Sequence, residues 1–347
     1  MKSKILIAIL IITIIVAILL INLQGAKQES IKIGIITDLT GPAAYWGEST
    51  RVGAEIAVEE LQKEGINVTL IFEDYQLDSR KALTSAQKLI NIDNVDAIYA
   101  EFNPAAISVG SLVKDKNILF VYDAAPTSPL KDSPYTYKTY LNYQEGCREI
   151  AKKFREEGVE KIGVLKVTLE FGELCADGVK EIFDNSTIIE TYNLGETDFR
   201  TQLLKISAAG AVTIINVGFE GDTLNTLKII KEQGLKLPYG TVDDTITEQV
   251  KMQFSDILNG TWSFGFIEVG MSFKEKLLTT NPNLATDYAA ALAYTHIIQM
   301  GKSLDTCGKN LQCVVNSMDN SSPDNTIGFE KFENKIAVLK MRIKKYQ

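Results

Sequence analysis

The 347-residue chain is 45% hydrophobic and 23% charged, with a formal net charge of −8 at pH 7. That length predicts about two domains, each large enough for its own core. The acidic balance, with no Lys/Arg cluster interleaved with aromatics, argues against a nucleic-acid surface, which needs a basic stripe.

At the N-terminus, Lys2 and Lys4 precede an uncharged apolar run from Ile5 to Ile21. A secretory apolar core is typically about 7–15 residues, and a membrane-spanning helix needs roughly 17–25. The run reaches the short end of the second range. A small-x-small cleavage pattern around Gly25 and Ala26 is broken by Leu23 and Gln24, and no cysteine is present there to carry a lipid. Residues 1–27 therefore read as a membrane anchor or as a removed signal peptide. Both readings place the body outside the cytoplasm, because the lysines hold the N-terminus inside.

From residue 30 onward, strand, loop and helix alternate. "IKIGII" (31–36) is a short β-branched run of the kind found in buried parallel strands. A helix is predicted over about 47–64, with Ala54, Ala57, Val58 and Leu61 on one face and Gly65 as its stop. Strand "NVTLIFED", helix "SRKALTSAQKLIN", strand "VDAIYAE", helix "PAAISVGSLVKDK" and strand "NILFVYD" follow. The segment "DAAPTSPLKDSPYTYKTYLNYQEG", rich in Pro, Ser and Tyr, reads as a crossing between two units.

The pattern then restarts. "EKIGVLKV" at 160–167 echoes "SIKIGIIT" at 30–37, and strand "STIIETY", helix "DFRTQLLKISAAG", strand "VTIINVG", helix "DTLNTLKIIKEQG" and a short strand at "LPYG" complete a second unit. The expected fold is α/β, with two doubly wound parallel-sheet lobes. Trp46-Gly47-Glu48 in the loop "GPAAYWGEST" and Phe171-Gly172-Glu173 occupy matching places after the first strand of each unit. Ligands bind outside the carboxyl ends of strands in open α/β sheets, so these aromatics are predicted to face each other across one cleft, or else to serve as helix staples.

The four cysteines suit an oxidising compartment. "CGKNLQC" suggests a disulfide between Cys307 and Cys313, whereas Cys147 and Cys175 either pair or both stay free. The Asn-x-Ser/Thr sequons at Asn67, Asn185, Asn259 and Asn320 are permitted there but match by chance often. The single histidine, His296, lies in the apolar helix "ATDYAAALAYTHIIQM" and reads as a packed core residue. No Gly-rich phosphate loop and no Gly-x-Ser-x-Gly elbow occurs, and one histidine makes a Ser/His or Cys/His system improbable. Acids in "FEDYQLDS" and "TVDDT" lack metal-ligand spacing. The expectation is a binding protein with no cofactor, no metal and no catalytic residues.

Stretches "IKIGIITDLTGPAAYWGESTRVGAEIAVEEL", "EDYQLDSRKALTSAQKLI", "KNILFVYDAAPTSPL", "FGELCADGVK" and "TDYAAALAYTHII" together resemble the type I periplasmic solute-binding proteins. The likeness is to the leucine/isoleucine/valine-binding branch that serves ABC importers, and it covers nearly all of residues 31–345. It implies a three-segment hinge, with lobe 1 formed by 31–139 plus 265–325 and lobe 2 by 140–264 plus 326–347. It also implies closure over an amino acid or amide, and permease and ATPase subunits as partners.

Matched position by position, the resemblance gives a ligand-contact role to Trp46 and a carboxylate-binding role to Asn103, where the family has serine. Ala125 and Thr127 in "AAPTSP" correspond to its zwitterion loop. Phe171 stands at a usual tyrosine, and Phe219 and Glu220 in "VGFEG" at its second aromatic site. Asp243 in "YGTVDD" matches the acid that pairs with ammonium, with Asp244 as a substitute. Leu77 and Phe102 replace cysteines common in this branch and are expected to pack together. The added acids Glu220 and Glu101 favour a cationic or amine-rich solute. A ligand sensor of the same fold, or a secreted hydrolase, are the alternative functions.

Overall fold

The computed structural model describes residues 29–347 apart from Pro42, Asn283 and Ala285. The expected anchor at residues 1–27 lies outside the described residues. Among those described, no helix is long and apolar enough to cross a membrane.

The first half of the chain runs β1 (Ile31–Thr37), α1 (Ala44–Lys63), β2 (Val68–Asp74), α2 (Ser79–Lys88), β3 (Ala97–Glu101), α3 (Phe102–Val113), β4 (Leu119–Asp123) and β5 (Thr136–Lys138). It continues through α4 (Tyr143–Glu156), β6 (Ile162–Val167), α5 (Glu170–Phe183), β7 (Thr187–Tyr192), α6 (Arg200–Ala208), β8 (Thr213–Val217), α7 (Glu220–Gln233), β9 (Tyr239–Val242), α8 (Glu248–Leu258) and β10 (Trp262–Phe266). Helices α9 (Met271–Thr280), α10 (Asp287–Cys307) and α11 (Leu311–Asp319) and strands β11 (Phe329–Glu333), β12 (Ile336–Leu339) and β13 (Met341–Lys345) complete it.

The strands form two sheets, in the orders β11-β12-β5-β4-β3-β1-β2 and β13-β10-β9-β8-β6-β7. Central strands such as β3, β4 and β8 are buried along their whole length because helices cover both faces, which is why they read as unbroken apolar runs. Each sheet is parallel except for late strands: β12 pairs antiparallel with β11, and β10 antiparallel with β13. This is the two-lobed α/β architecture expected from the repeated pattern.

One expectation is corrected. The chain was expected to enter the second lobe at residue 326, yet β11 and β12 belong to the first sheet and only β13 joins the second. The cause is a two-residue turn at Asn334 and Lys335, whose φ values of 50° and 66° are those a tight hairpin demands. That hairpin folds β12 back beside β5, pairing Ile336 with Lys138. The stretch read as a plain crossing also holds β5.

Close helix packing fixes each lobe. A Cβ on Gly53 would lie 2.0 Å from the Ala290 carbonyl oxygen, so α1 and α10 meet backbone to backbone. In the second lobe a Cβ on Gly178 would lie 2.0 Å from the Gln144 carbonyl oxygen. There the Cys147–Cys175 disulfide ties α4 to α5, which resolves the pairing the sequence left open. Cys307–Cys313 links the end of α10 to α11. His296 is fully buried, its Nδ1 2.9 Å from Gln299 Oε1, and burial pulls its imidazole down to about 4.

Three crossings join the lobes, after β5, after β10 and between β12 and β13. Tyr140, in the first, packs on both cores. Buried Lys138 holds that crossing by donating to the carbonyl oxygens of Tyr140 (3.1 Å) and Leu141 (3.2 Å).

Candidate functional site

At the carboxyl edge of the first sheet, Asp38 is fully buried and accepts from the backbone N–H groups of Gly41 (2.5 Å) and Ala43 (2.6 Å). This turn starts α1 at Ala44, earlier than the spacing suggested, so Trp46 sits in the first helical turn instead of a loop. Gly47 permits it: a Cβ there would be 1.9 Å from the Asp38 carbonyl oxygen.

The Trp46 indole Nε1 donates to Glu101 Oε1 (3.1 Å), and its ring lies 5.9 Å from that of Phe102. Glu101, at the end of β3, is fully buried and also accepts from the hydroxyls of Thr37 and Thr50, both at 2.5 Å. Burial pushes its carboxyl up to about 7, against the opposing pull of these donors. Phe102 follows at φ +65°, a conformation that costs a bulky residue about 1–3 kcal/mol and is held by its surroundings. Phe102 and Leu77 pack on the same apolar cluster of this lobe. Asn103 in turn accepts from the Ala125 N–H through Oδ1 (3.3 Å). Trp46, Asn103 and Ala125 thus gather at one sheet edge.

The second lobe repeats the device. A Cβ on Gly172 would lie 2.4 Å from the Val167 carbonyl oxygen, which brings the first turn of α5 against the end of β6. Phe171 is only 3% exposed, however, and packs on Tyr143 (5.2 Å between ring centroids) and Phe219 (5.6 Å). It is a support, and the exposed ring is Phe219, at 47%. Phe171 and Trp46 therefore do not form two matching open walls. Glu220, exposed at the start of α7, accepts from the Thr247 hydroxyl (2.8 Å).

Asp243 does not present a free carboxylate. It accepts from Arg342, from Ser263 Oγ (2.9 Å) and from the Tyr346 hydroxyl (2.6 Å), and is thereby committed to the β10–β13 pairing. Its neighbour Asp244 is the solvent-accessible acid and accepts from the Tyr140 hydroxyl at 3.1 Å. Surrounding protein pushes the Asp244 carboxyl up to about 6, the Tyr140 bond opposing that shift and the nearby Asp243 charge adding to it.

Four residues escaped the sequence reading. Glu170, the first residue of α5, accepts through Oε1 from both the backbone N–H (2.7 Å) and the hydroxyl of Thr127 in the opposite lobe. Tyr140 and Tyr143 continue the aromatic row through the hinge, with Tyr140 5.3 Å from Phe266. Tyr45 stands 57% exposed on the first lobe; partial burial and the charges of Glu220 and Asp244 across the gap push its phenol up. The Tyr pair lay in a segment that gave no periodic signal, and the Thr127–Glu170 contact is long-range. Among the described residues no group of three or more His, Cys, Asp or Glu is placed to hold a metal ion.

Two wound lobes, an aromatic-lined hinge and polar groups converging from facing sheet edges define a two-lobed solute-binding protein. The family model described as "Periplasmic binding protein" matches residues 30–261, and the chain belongs to that family, whose members bind solutes and are not enzymes. Relatives include the "Leu/Ile/Val-binding protein homolog 2" of Brucella abortus, 24% identical over 258 residues, covering 70% of this chain and 68% of that protein. A "Leucine-, isoleucine-, valine-, threonine-, and alanine-binding protein" of Pseudomonas aeruginosa is 25% identical, over 60% of this chain and 58% of that protein. The fold is shared with the leucine binding protein LivK of Thermotoga maritima, at TM-score 0.76 and 14% identity, covering 90% of this chain and 94% of that one. It is shared too with LivJ of Streptococcus pneumoniae in complex with isoleucine, at TM-score 0.73 and 17% identity, covering 91% and 95%.

Proposed function

We propose that this protein is the extracytoplasmic receptor of an ABC importer and captures a small amino-acid-like solute between its lobes. The observation that carries the reading is the meeting of Thr127 and Glu170 across the gap, at the sheet edge where Asn103 and Ala125 already converge. Polar groups of one lobe face acids of the other there, a chemistry suited to an amine or amide. Phe219 and Tyr45 supply its exposed aromatic surface, and Asp244 takes the ammonium-facing role expected of Asp243. A solute held by both lobes favours the closed state by its differential affinity for it. That closed form then docks on permease and ATPase subunits, with residues 1–27 tethering the body to the membrane or directing its secretion.

A thermal-shift screen of the purified protein against amino acids and their amides tests this. Ligand that binds only the folded state stabilises it by RT ln(1 + [L]/Kd), about 2.7 kcal/mol at a hundredfold excess. One class of solute is expected to raise the melting temperature. A flat response across the panel overturns the reading.

A further inference from the structure

The contact between Thr127 and Glu170 is unlike the others at the cleft. Both donors of Thr127, its N–H and its hydroxyl, are spent on the same carboxylate oxygen, and that carboxylate belongs to the opposite lobe. Glu170 makes no ion pair among the described residues. Lys138, which feels its charge, is buried and bonded to the carbonyl oxygens of the first crossing. The acid sits in the first turn of α5, where the helix N-terminus favours a negative charge. The protein therefore carries its own carboxylate at the place where Thr127 offers paired donors.

A solute with a free carboxylate has to compete for those donors with a tethered group, whose effective concentration reaches the millimolar range for short connections. It also meets Glu220 and Asp244, whose charges both bear on the exposed Tyr45, while Arg342 is engaged by Asp243. A cationic amine meets the opposite conditions. It gains the acids, and the exposed Phe219 and Tyr45 rings offer faces to a cation.

Resting on the proposed capture of an amino-acid-like solute, we infer that Glu170 is the specificity-determining residue of the cleft: it fills the carboxylate subsite from within, so the cleft selects amines that lack a free carboxylate, such as amino-acid amides. The bond across the lobes also means that the ligand need not bridge them at that point.

Calorimetric titration of the full chain, in wild-type, Glu170→Gln and Glu170→Ala forms, with the pairs leucine/leucinamide and phenylalanine/phenylalaninamide tests the inference. Wild type is expected to bind an amide at least tenfold more tightly than its amino acid. Glu170→Ala should lower that ratio at least tenfold. Glu170→Gln keeps an acceptor for Thr127 without the charge and should fall between them. Wild type preferring the free amino acid, or a ratio unmoved in both variants, overturns the inference and leaves the amino-acid-like reading standing. Absence of binding by every probe to all three proteins overturns that reading and this inference with it.

Discussion

Trp46 and Glu101, 55 positions apart, are joined by a 3.1 Å hydrogen bond from the indole to a carboxyl with no solvent exposure. The bond places the tryptophan over the end of β3 and makes its position depend on a titrating group. Burial lifts Glu101 to about 7 in the folded protein, whereas an unfolded glutamate titrates near 4.3. The folded state then holds the proton more tightly, so this contribution to stability is fully present below about 4.3 and is lost as pH rises through about 7. The difference corresponds to about 4 kcal/mol. Glu101→Gln should flatten the pH dependence, and urea melts of both proteins at pH 5 and pH 8 measure it. An equal loss between the two pH values in wild type and variant would refute the assignment.

The two disulfides should differ in worth. Cys147 and Cys175 close a loop with a sequence separation of 28, and Cys307 and Cys313 one of only 6. By loop-closure entropy the first stabilises by about 3.5 kcal/mol and the second by about 2. Replacing each pair with serines and measuring chemical denaturation should show the larger loss for the α4–α5 clasp. The reverse order would mean that native-state strain outweighs chain entropy here.

Most of the architecture was legible because parallel strands buried on both faces leave apolar runs that stop at Gly, Pro or charge. The repeat of "KIG" marked the first strand of each lobe, and Gly47 and Gly172 recur for one physical reason: both let a helix approach a strand-end carbonyl. The β11–β12 hairpin carried a weaker signal, since Asn-Lys is a poor cue for a turn with positive φ at both positions. The site was harder. Asp243 and Asp244 are adjacent in sequence, and only the position of Arg342, 99 residues away, decides which of them is committed. Glu170 looks like an ordinary helix-start acid until the other lobe is brought against it.

The shared glycine step gives a third expectation. Gly47→Ala would put a Cβ 1.9 Å from the Asp38 carbonyl oxygen, against 2.4 Å from Val167 for Gly172→Ala. Neither neighbour is a flexible side-chain end, so the first turn of each helix must move, at a cost of about 1–3 kcal/mol for overpacking. Gly47→Ala should also shift the emission of Trp46 as its indole leaves Glu101, while Gly172→Ala should not. Thermal melts with intrinsic fluorescence read both effects, and unchanged emission in Gly47→Ala would show that the indole bond does not depend on this packing.

The adjacent acids give the last expectation, and it separates stability from binding. Asp243 is engaged by Arg342, Ser263 and Tyr346, which join the C-terminal strand to β10. Asp243→Asn keeps the size but removes the charge that Arg342 faces, and hydrogen bonds to charged groups are worth about 1.5–3 kcal/mol. The variant should lose roughly that much stability, most of it as detachment of β13. Asp244 bonds only the hinge phenol of Tyr140 among the described side chains and keeps solvent access. Asp244→Asn should melt no lower than wild type at neutral pH, because the protein holds the Asp244 carboxyl up at about 6 and the amide removes a charge that the folded state disfavours. Its effect should appear in binding, because an ammonium group would lose its charged partner in the cleft, and affinity should fall at least tenfold. Measuring unfolding and ligand titration on both variants decides the roles. Weaker binding in Asp243→Asn with full stability, alongside unchanged binding in Asp244→Asn, would return the ammonium role to Asp243.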